Sequence, residues 1–159
     1  MVKLFHRKET PLLTRLRSVS LFQALSLGEL AIVDGLMHQR NYQADEVVFD
    51  EGEEGQAIYI VLAGTVKLCR AGQSEQSVIA ELGPGGFFGD MALLDNLPRA
   101  AQARAQTDCL LAVYFREDFI SLMETHARIA SKIALQLALQ MARRLRAQSE
   151  PNPIVRVHQ

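Results

Sequence analysis

The sequence has little of what several function classes require. It holds two cysteines, Cys69 and Cys109, in 159 residues. Each sits in an apolar, strand-like run, and two scattered cysteines make neither a disulfide framework nor a zinc site. Reduced, buried thiols fit a cytoplasmic chain. No apolar run reaches the roughly 18 residues that a membrane-spanning helix needs. The longest candidate, Ile129 to Leu139, is interrupted by Ser131, Lys132 and Gln136. The charged N-terminus lacks the apolar core and cleavage site of a signal peptide. Formal net charge is −1, so nothing global points to nucleic acid or a membrane surface. The four histidines, His6, His38, His126 and His158, lie outside the strand-like runs. A metal-binding jelly-roll enzyme therefore lacks its clustered ligands. No Ser–His or Cys–His pair can be placed either, so no catalytic residue is nominated.

What is present is an ordinary globular balance, 48% apolar and 22% charged residues, in a chain of one-domain length. Leu12, Leu13 and Leu16 suggest a short helix. Ser26 with Glu29 three residues on is a capping-box signature for a helix over Leu27 to Met37. From Arg40 the period changes to alternation. Tyr42, Val47 and Phe49 sit in short runs, broken by the acidic, glycine-punctuated turn 50–55. Ile58, Ile60 and Leu62 mark one face of a strand that Gly64 ends. Val66 and Leu68 resume the alternation, and Ala71 to Glu75 reads as a hairpin loop. Val78, Ile79 and Leu82 make another strand. Residues 100–107 alternate small with polar, and Leu110 to Phe115 form a final strand. Short strands at near-regular spacing with helices at both ends predict an α+β chain. Its centre is an antiparallel β-roll (a jelly roll), flanked by N-terminal helices and a long C-terminal helix.

That helix spans about 127–148 and carries two apolar stripes. Ile129, Ile133, Leu137, Met141 and Leu145 make one; Leu135, Leu139 and Ala142 make the other. One stripe can face the roll and the second a partner helix, with small alanines at 130, 134, 138 and 142 permitting close approach. A helix buried wholly in its own domain is the other reading. Arg143, Arg144 and Arg146, like the N-terminal cluster Lys3, Arg7, Lys8, Arg15 and Arg17, read as solvated faces. Met91 and Met141 read as core packing rather than as ligands.

The stretch from Phe87 to Ala101 concentrates the chemistry. A glycine turn, Gly83-Pro84-Gly85-Gly86, precedes it and lets backbone approach a ligand. A short helical segment from Met91 to Leu94 aims free N–H groups at whatever sits there, which favours anions. Arg99, just behind Pro98, adds a charge-assisted fork. Asp90 accepts hydrogen bonds but repels phosphate. Donors with one carboxylate suit a phosphorylated sugar. On the residues alone, an anion site and a structural loop both remain open.

Phe88-Gly89-Asp90-Met91-Ala92-Leu93 followed by Pro98-Arg99-Ala100-Ala101 resembles the phosphate-binding cassette of cyclic nucleotide-binding domains. That family includes the catabolite activator protein and the regulatory subunits of protein kinase A. The likeness covers about residues 21–149 as the binding domain, with strands over about 40–115 and C-terminal helices over about 116–148. Residues 1–20 form an extension and 150–159 a tail. The resemblance implies a ligand-binding set of Gly89, Asp90, Met91, Ala92, Arg99, Ala100, Ala101, Gln148 and Ser149. In it Arg99 meets the cyclic phosphate, a contact worth roughly 1.5–3 kcal/mol. N–H groups near Ala92 and Ala100 complete the cradle, and Gly89 and Asp90 face the ribose. The family usually carries glutamate at position 90, so Asp90 falls about 1.5 Å short in reach. Ala100 lacks the hydroxyl that cGMP-preferring members use, which implies cAMP rather than cGMP as ligand. No other cofactor and no metal is implied. Gln148 and Ser149 match base-contacting positions, or form a frayed polar helix end. The helix 127–148 matches the family's dimer seam, implying a homodimer. After Pro153 only six residues follow, which leaves no room for a DNA-reading domain. A sensor that signals through its C-terminal helix to an effector protein is the reading that follows. A ligand-less interaction module of the same fold is the alternative.

Overall fold

The computed structural model describes residues 11–70 and 77–149, Ser77 by its backbone alone. The loop read over 71–75, and His6 and His158, lie outside the described residues. Two short helices lead in: α1 (Pro11–Leu16) and α2 (Leu27–Asp34), with a 3-10 turn, Ser20–Phe22, between them. Eight strands follow: β1 (His38–Tyr42), β2 (Val47–Phe49), β3 (Ala57–Ala63), β4 (Val66–Arg70), β5 (Ser77–Leu82), β6 (Phe87–Phe88), β7 (Gln102–Ala105) and β8 (Cys109–Phe115). A second 3-10 turn, Asp90–Leu93, separates β6 from β7. The helices α3 (Arg116–Thr125) and α4 (Ala127–Ser149) close the chain.

The strands form two antiparallel four-stranded sheets, ordered β1-β8-β3-β6 and β2-β7-β4-β5. This is the β-roll with flanking helices that the alternating runs predict. β3 is apolar on both faces, which suits its inner place between β8 and β6. Its Ile58, Ile60 and Leu62 face a core shared with the helices, while Val61 and Tyr59 face a second core between the sheets. β8 divides in the same way, Ala112 and Tyr114 to the first core, Cys109 and Leu111 to the second. Leu12, Leu13 and Leu16 of α1 join the helical core.

Two local readings differ from the structure. His38 opens β1, so one histidine does lie in a strand, though it is exposed and no metal-holding cluster exists among the described residues. The second helix ends at Asp34 rather than running to Met37, because Gly35 caps it. No helix among the described residues is long and apolar enough to cross a membrane.

The capping box of α2 is present. Glu29 N–H donates to Ser26 Oγ (3.2 Å), and Ser26 N–H donates to Glu29 Oε1 (3.0 Å). The same carboxylate takes Lys132 Nζ of α4 at 2.7 Å. Gln140 donates to Ser20 and Gln23 to Gln136, so the packed face of α4 is braced on the lead-in as well as on α3. Ile129, Ile133 and Leu137 are buried and Met141 half-buried. Leu145 is 64% exposed, so the stripe breaks one turn earlier than its spacing suggests. The other stripe is open: Leu135 is 59% and Leu139 41% exposed.

Lys132 above all, and the cap, hold the Glu29 carboxyl down to about 2 from the usual 4.5. A depressed carboxyl contributes stability above 4.5 and loses it as pH falls through about 2. Glu29→Gln should therefore lower the unfolding temperature above pH 4.5, with the gap from the native chain closing towards pH 2. A gap that does not change over that window would contradict the assignment. Gly64 offers a second test. It turns the chain from one sheet into the other at φ +83°, and a Cβ there would stand 2.2 Å from Asp108 O. Gly64→Ala should cost about 2 kcal/mol or more in denaturant unfolding; a neutral result would refute the corner's role.

Candidate functional site

The site grows from Arg99. Its backbone is clamped to the acidic turn: Arg99 N–H donates to Glu53 O (2.7 Å), and Gly52 N–H donates to Arg99 O (2.9 Å). Its side chain then runs inward and is 9% exposed. The guanidinium donates through Nη1 to Gly89 O (3.1 Å) and through Nη2 to Ala57 O (2.8 Å). It lies 4.1 Å over the Phe49 ring and 5.8 Å from that of Tyr59. Two glycines make room for it. A Cβ on Gly55 would sit 3.2 Å from Arg99 Cζ, and one on Gly89 would sit 2.5 Å from Nη1. Gly89 also holds φ +73°, a conformation that L side chains rarely adopt.

Arg99 Nε is buried and has no hydrogen-bond partner, and among the described residues no carboxylate stands within ion-pair distance of the guanidinium. Burial pushes its pKa down, against the opposing pull of Tyr59, Glu53 and Asp90. A guanidinium stays protonated in proteins. The result is a buried cation with an open donor and no ion-paired carboxylate among the described residues, the arrangement that an anionic ligand satisfies.

A cavity of about 340 Å³ lies over it. Gly89, Asp90, Met91, Ala92, Arg99, Ala100, Ala101 and Gln148 all line it. Ser149 does not; its hydroxyl donates to Leu145 O in the last turn of α4. Ala92 N–H is turned into the 3-10 turn, donating to Gly89 O at 3.2 Å. Met91 is 53% exposed at the cavity, not core packing. The glycine turn 83–86 plays a structural part instead. It clips to β3, with Gly85 N–H donating to Val61 O and Val61 N–H donating to Gly86 O, both 2.9 Å. None of its residues lines the cavity. The glycine at the ligand wall is Gly89.

Asp90 is not free to wait for a hydroxyl. Its buried carboxylate takes Arg144 Nη1 of α4 at 2.9 Å. The place of Arg144 beside Arg143 and Arg146 suggests a solvated face, yet it follows Leu137 and Met141 at helical spacing. A charge continuing a packed stripe was the available signal. Arg70 on β4 is another lining residue the motif did not reach. It stands where the alternation of Val66 and Leu68 asks for an apolar side chain. Phe49, Leu68 and Ile79 supply apolar wall, and no motif spacing marks them.

Comparison with known proteins gives this geometry its place. The family model described as "Cyclic nucleotide-binding domain" matches residues 39–126. The "Cyclic AMP receptor protein" of Thermus thermophilus is 39% identical over 127 residues, 79% of this chain and 57% of that protein. A crystal structure of the Thermus thermophilus catabolite activator protein superposes with TM-score 0.74 at 37% identity, covering 81% of this chain and 59% of that one. The regulatory domain of Toxoplasma gondii PKA, solved with cAMP, superposes with TM-score 0.64 at 33% identity, over 69% and 42% respectively. The chain thus spans little more than half the length of the Thermus relative. With the family model covering more than half its residues, and the roll and helices in place around the cassette, the chain belongs to the cyclic nucleotide-binding domain family.

Proposed function

We propose that the cavity over Arg99 binds a cyclic nucleotide, cAMP in preference to cGMP, and that the chain is a regulatory sensor rather than an enzyme. One observation carries the reading: the buried Arg99 guanidinium has an unpartnered Nε and, among the described residues, no carboxylate in ion-pair contact. A cyclic phosphate supplies one negative charge and several acceptors at that point. The relatives named for cAMP, and Ala100 without a hydroxyl, favour adenine. In this reading Gly89, Asp90, Met91, Ala92, Ala100 and Ala101 surround the phosphate and ribose, and Gln148 lies toward the base.

Transmission runs through α4. Arg144 ties that helix to Asp90, the carboxylate on which a ribose hydroxyl would compete. A ligand that binds one placement of α4 better than another shifts the population toward it by its differential affinity. The open stripe of Leu135 and Leu139 suits a second copy of the chain along residues 127–148, and an effector protein reads the change. The engagement of Asp90 by Arg144 is also what favours the second reading, a ligand-less interaction module.

A thermal-shift titration separates the two. At 100 times the dissociation constant, a specific ligand adds about 2.7 kcal/mol of stability. cAMP should raise the unfolding temperature, cGMP should do so less, and Arg99→Ala should remove most of the rise. No shift at millimolar concentration of either nucleotide would leave only the interaction module.

A further inference from the structure

We infer that Arg70 is a base-reading residue of this cavity, one that recognises the acceptor edge of a 6-oxopurine. The inference rests on the cyclic-nucleotide reading of the cavity. The charged residues lining the cavity are Arg70, Arg99, Arg144, Asp90 and Asp95. All four of the others have assigned work. Asp90 and Arg144 pair with each other. Asp95 Oδ1 accepts the N–H of Leu97. Arg99 is set by the carbonyls of Gly89 and Ala57 to face an anion. Arg70 alone has no such partner: its backbone is paired in the β4–β5 ladder, but its side chain makes no hydrogen bond or ion pair with the described residues.

Its place in the fold separates it from the phosphate end. Arg99 and the Gly89–Ala101 segment belong to the cassette, between β6 and β7. Arg70 ends β4, two residues after Leu68, which packs on the inter-sheet core. Leu68, from β4, and Ile79, from the neighbouring β5, give the cavity apolar wall beside it. An apolar wall with one guanidinium fork at its edge is suited to a flat heteroaromatic ring. With the phosphate on Arg99, the base is the part of the ligand left for this wall. The fork carries only donors. Guanine and hypoxanthine offer two acceptors on one edge, N7 and O6; adenine offers N7 beside an amino donor at position 6. Arg70 therefore pulls selectivity toward 6-oxopurines, against the preference that Ala100 sets. Native selectivity for cAMP is narrower than the cassette alone dictates.

Equilibrium titration of the full chain and of Arg70→Ala with cAMP, cGMP and cIMP tests this. cIMP keeps O6 and N7 but lacks the 2-amino group. The variant should lose affinity for cGMP and cIMP by about 5-fold or more relative to any change for cAMP. The Arg70 side chain is exposed and has no partner among the described residues, so the variant's unfolding temperature without ligand should match the native chain's, which separates recognition from misfolding. An equal loss for all three nucleotides would place Arg70 on the phosphate and overturn the inference. No change for any of them would overturn it too. If the native chain binds cAMP while either of those results holds, only Arg70's role fails. If the native chain binds none of the three, the cyclic-nucleotide reading fails with it.

Discussion

A positive charge is buried with no carboxylate in ion-pair contact among the described residues. Taking a guanidinium out of water costs several kcal/mol unless its donors are met, and the chain spends much local structure holding Arg99 in that state. Two main-chain hydrogen bonds lock its backbone to the turn 52–53. Two carbonyls take part of its donor set, and an aromatic ring lies against its face. Gly55 and Gly89 keep Cβ atoms out of its way. The sheets converge on the same point. Ala57 belongs to β3, Phe49 to β2, and Gly89 follows β6, so the roll has to close for these three groups to meet around one side chain.

The second constraint is the attachment of α4. One of its faces is packed on the lead-in and on α3, and its far end reaches the cassette through Arg144 and Asp90. Asp90 is buried while Arg144 is half in solvent. Moving Arg144 away would leave a desolvated carboxylate behind, which makes the contact sensitive to anything else that bonds Asp90. The aspartate, one methylene shorter than the family's usual glutamate, is thus held at the cavity wall by a cation on a helix rather than left unpaired there.

Much of this was legible in the residues, for physical reasons that also explain what was not. β3 and β8 read as short, almost continuously apolar runs because both of their faces are buried, and runs of that length bounded by turns mark the strands of the roll. Ser26 and Glu29 announced the start of α2 because a capping box is a local interaction. The cassette stood out because several residue types recur at fixed separations. The partners of those residues were hidden wherever the contact spans distant parts of the chain. Asp90 and Arg144 are 54 positions apart, and only the folded helix brings them together. The role of the turn 83–86 was misread because glycine permits close approach to any neighbour. Here that neighbour is β3, and Gly89 takes the place beside the cavity. The resemblance places Ser149 at a base-contacting position, but the last turn of α4 points its hydroxyl back to Leu145 O.

The central claim concerns a single N–H group. Nitrogen NMR of the Arg99 side chain, assigned by comparison with Arg99→Lys, reads its environment during titration with cAMP. The account predicts that the Nε–H resonance, which has no hydrogen-bond partner in the structure, moves downfield and becomes protected from solvent exchange as ligand saturates. A resonance that neither moves nor gains protection while cAMP demonstrably binds would contradict it, because the phosphate would then be held elsewhere.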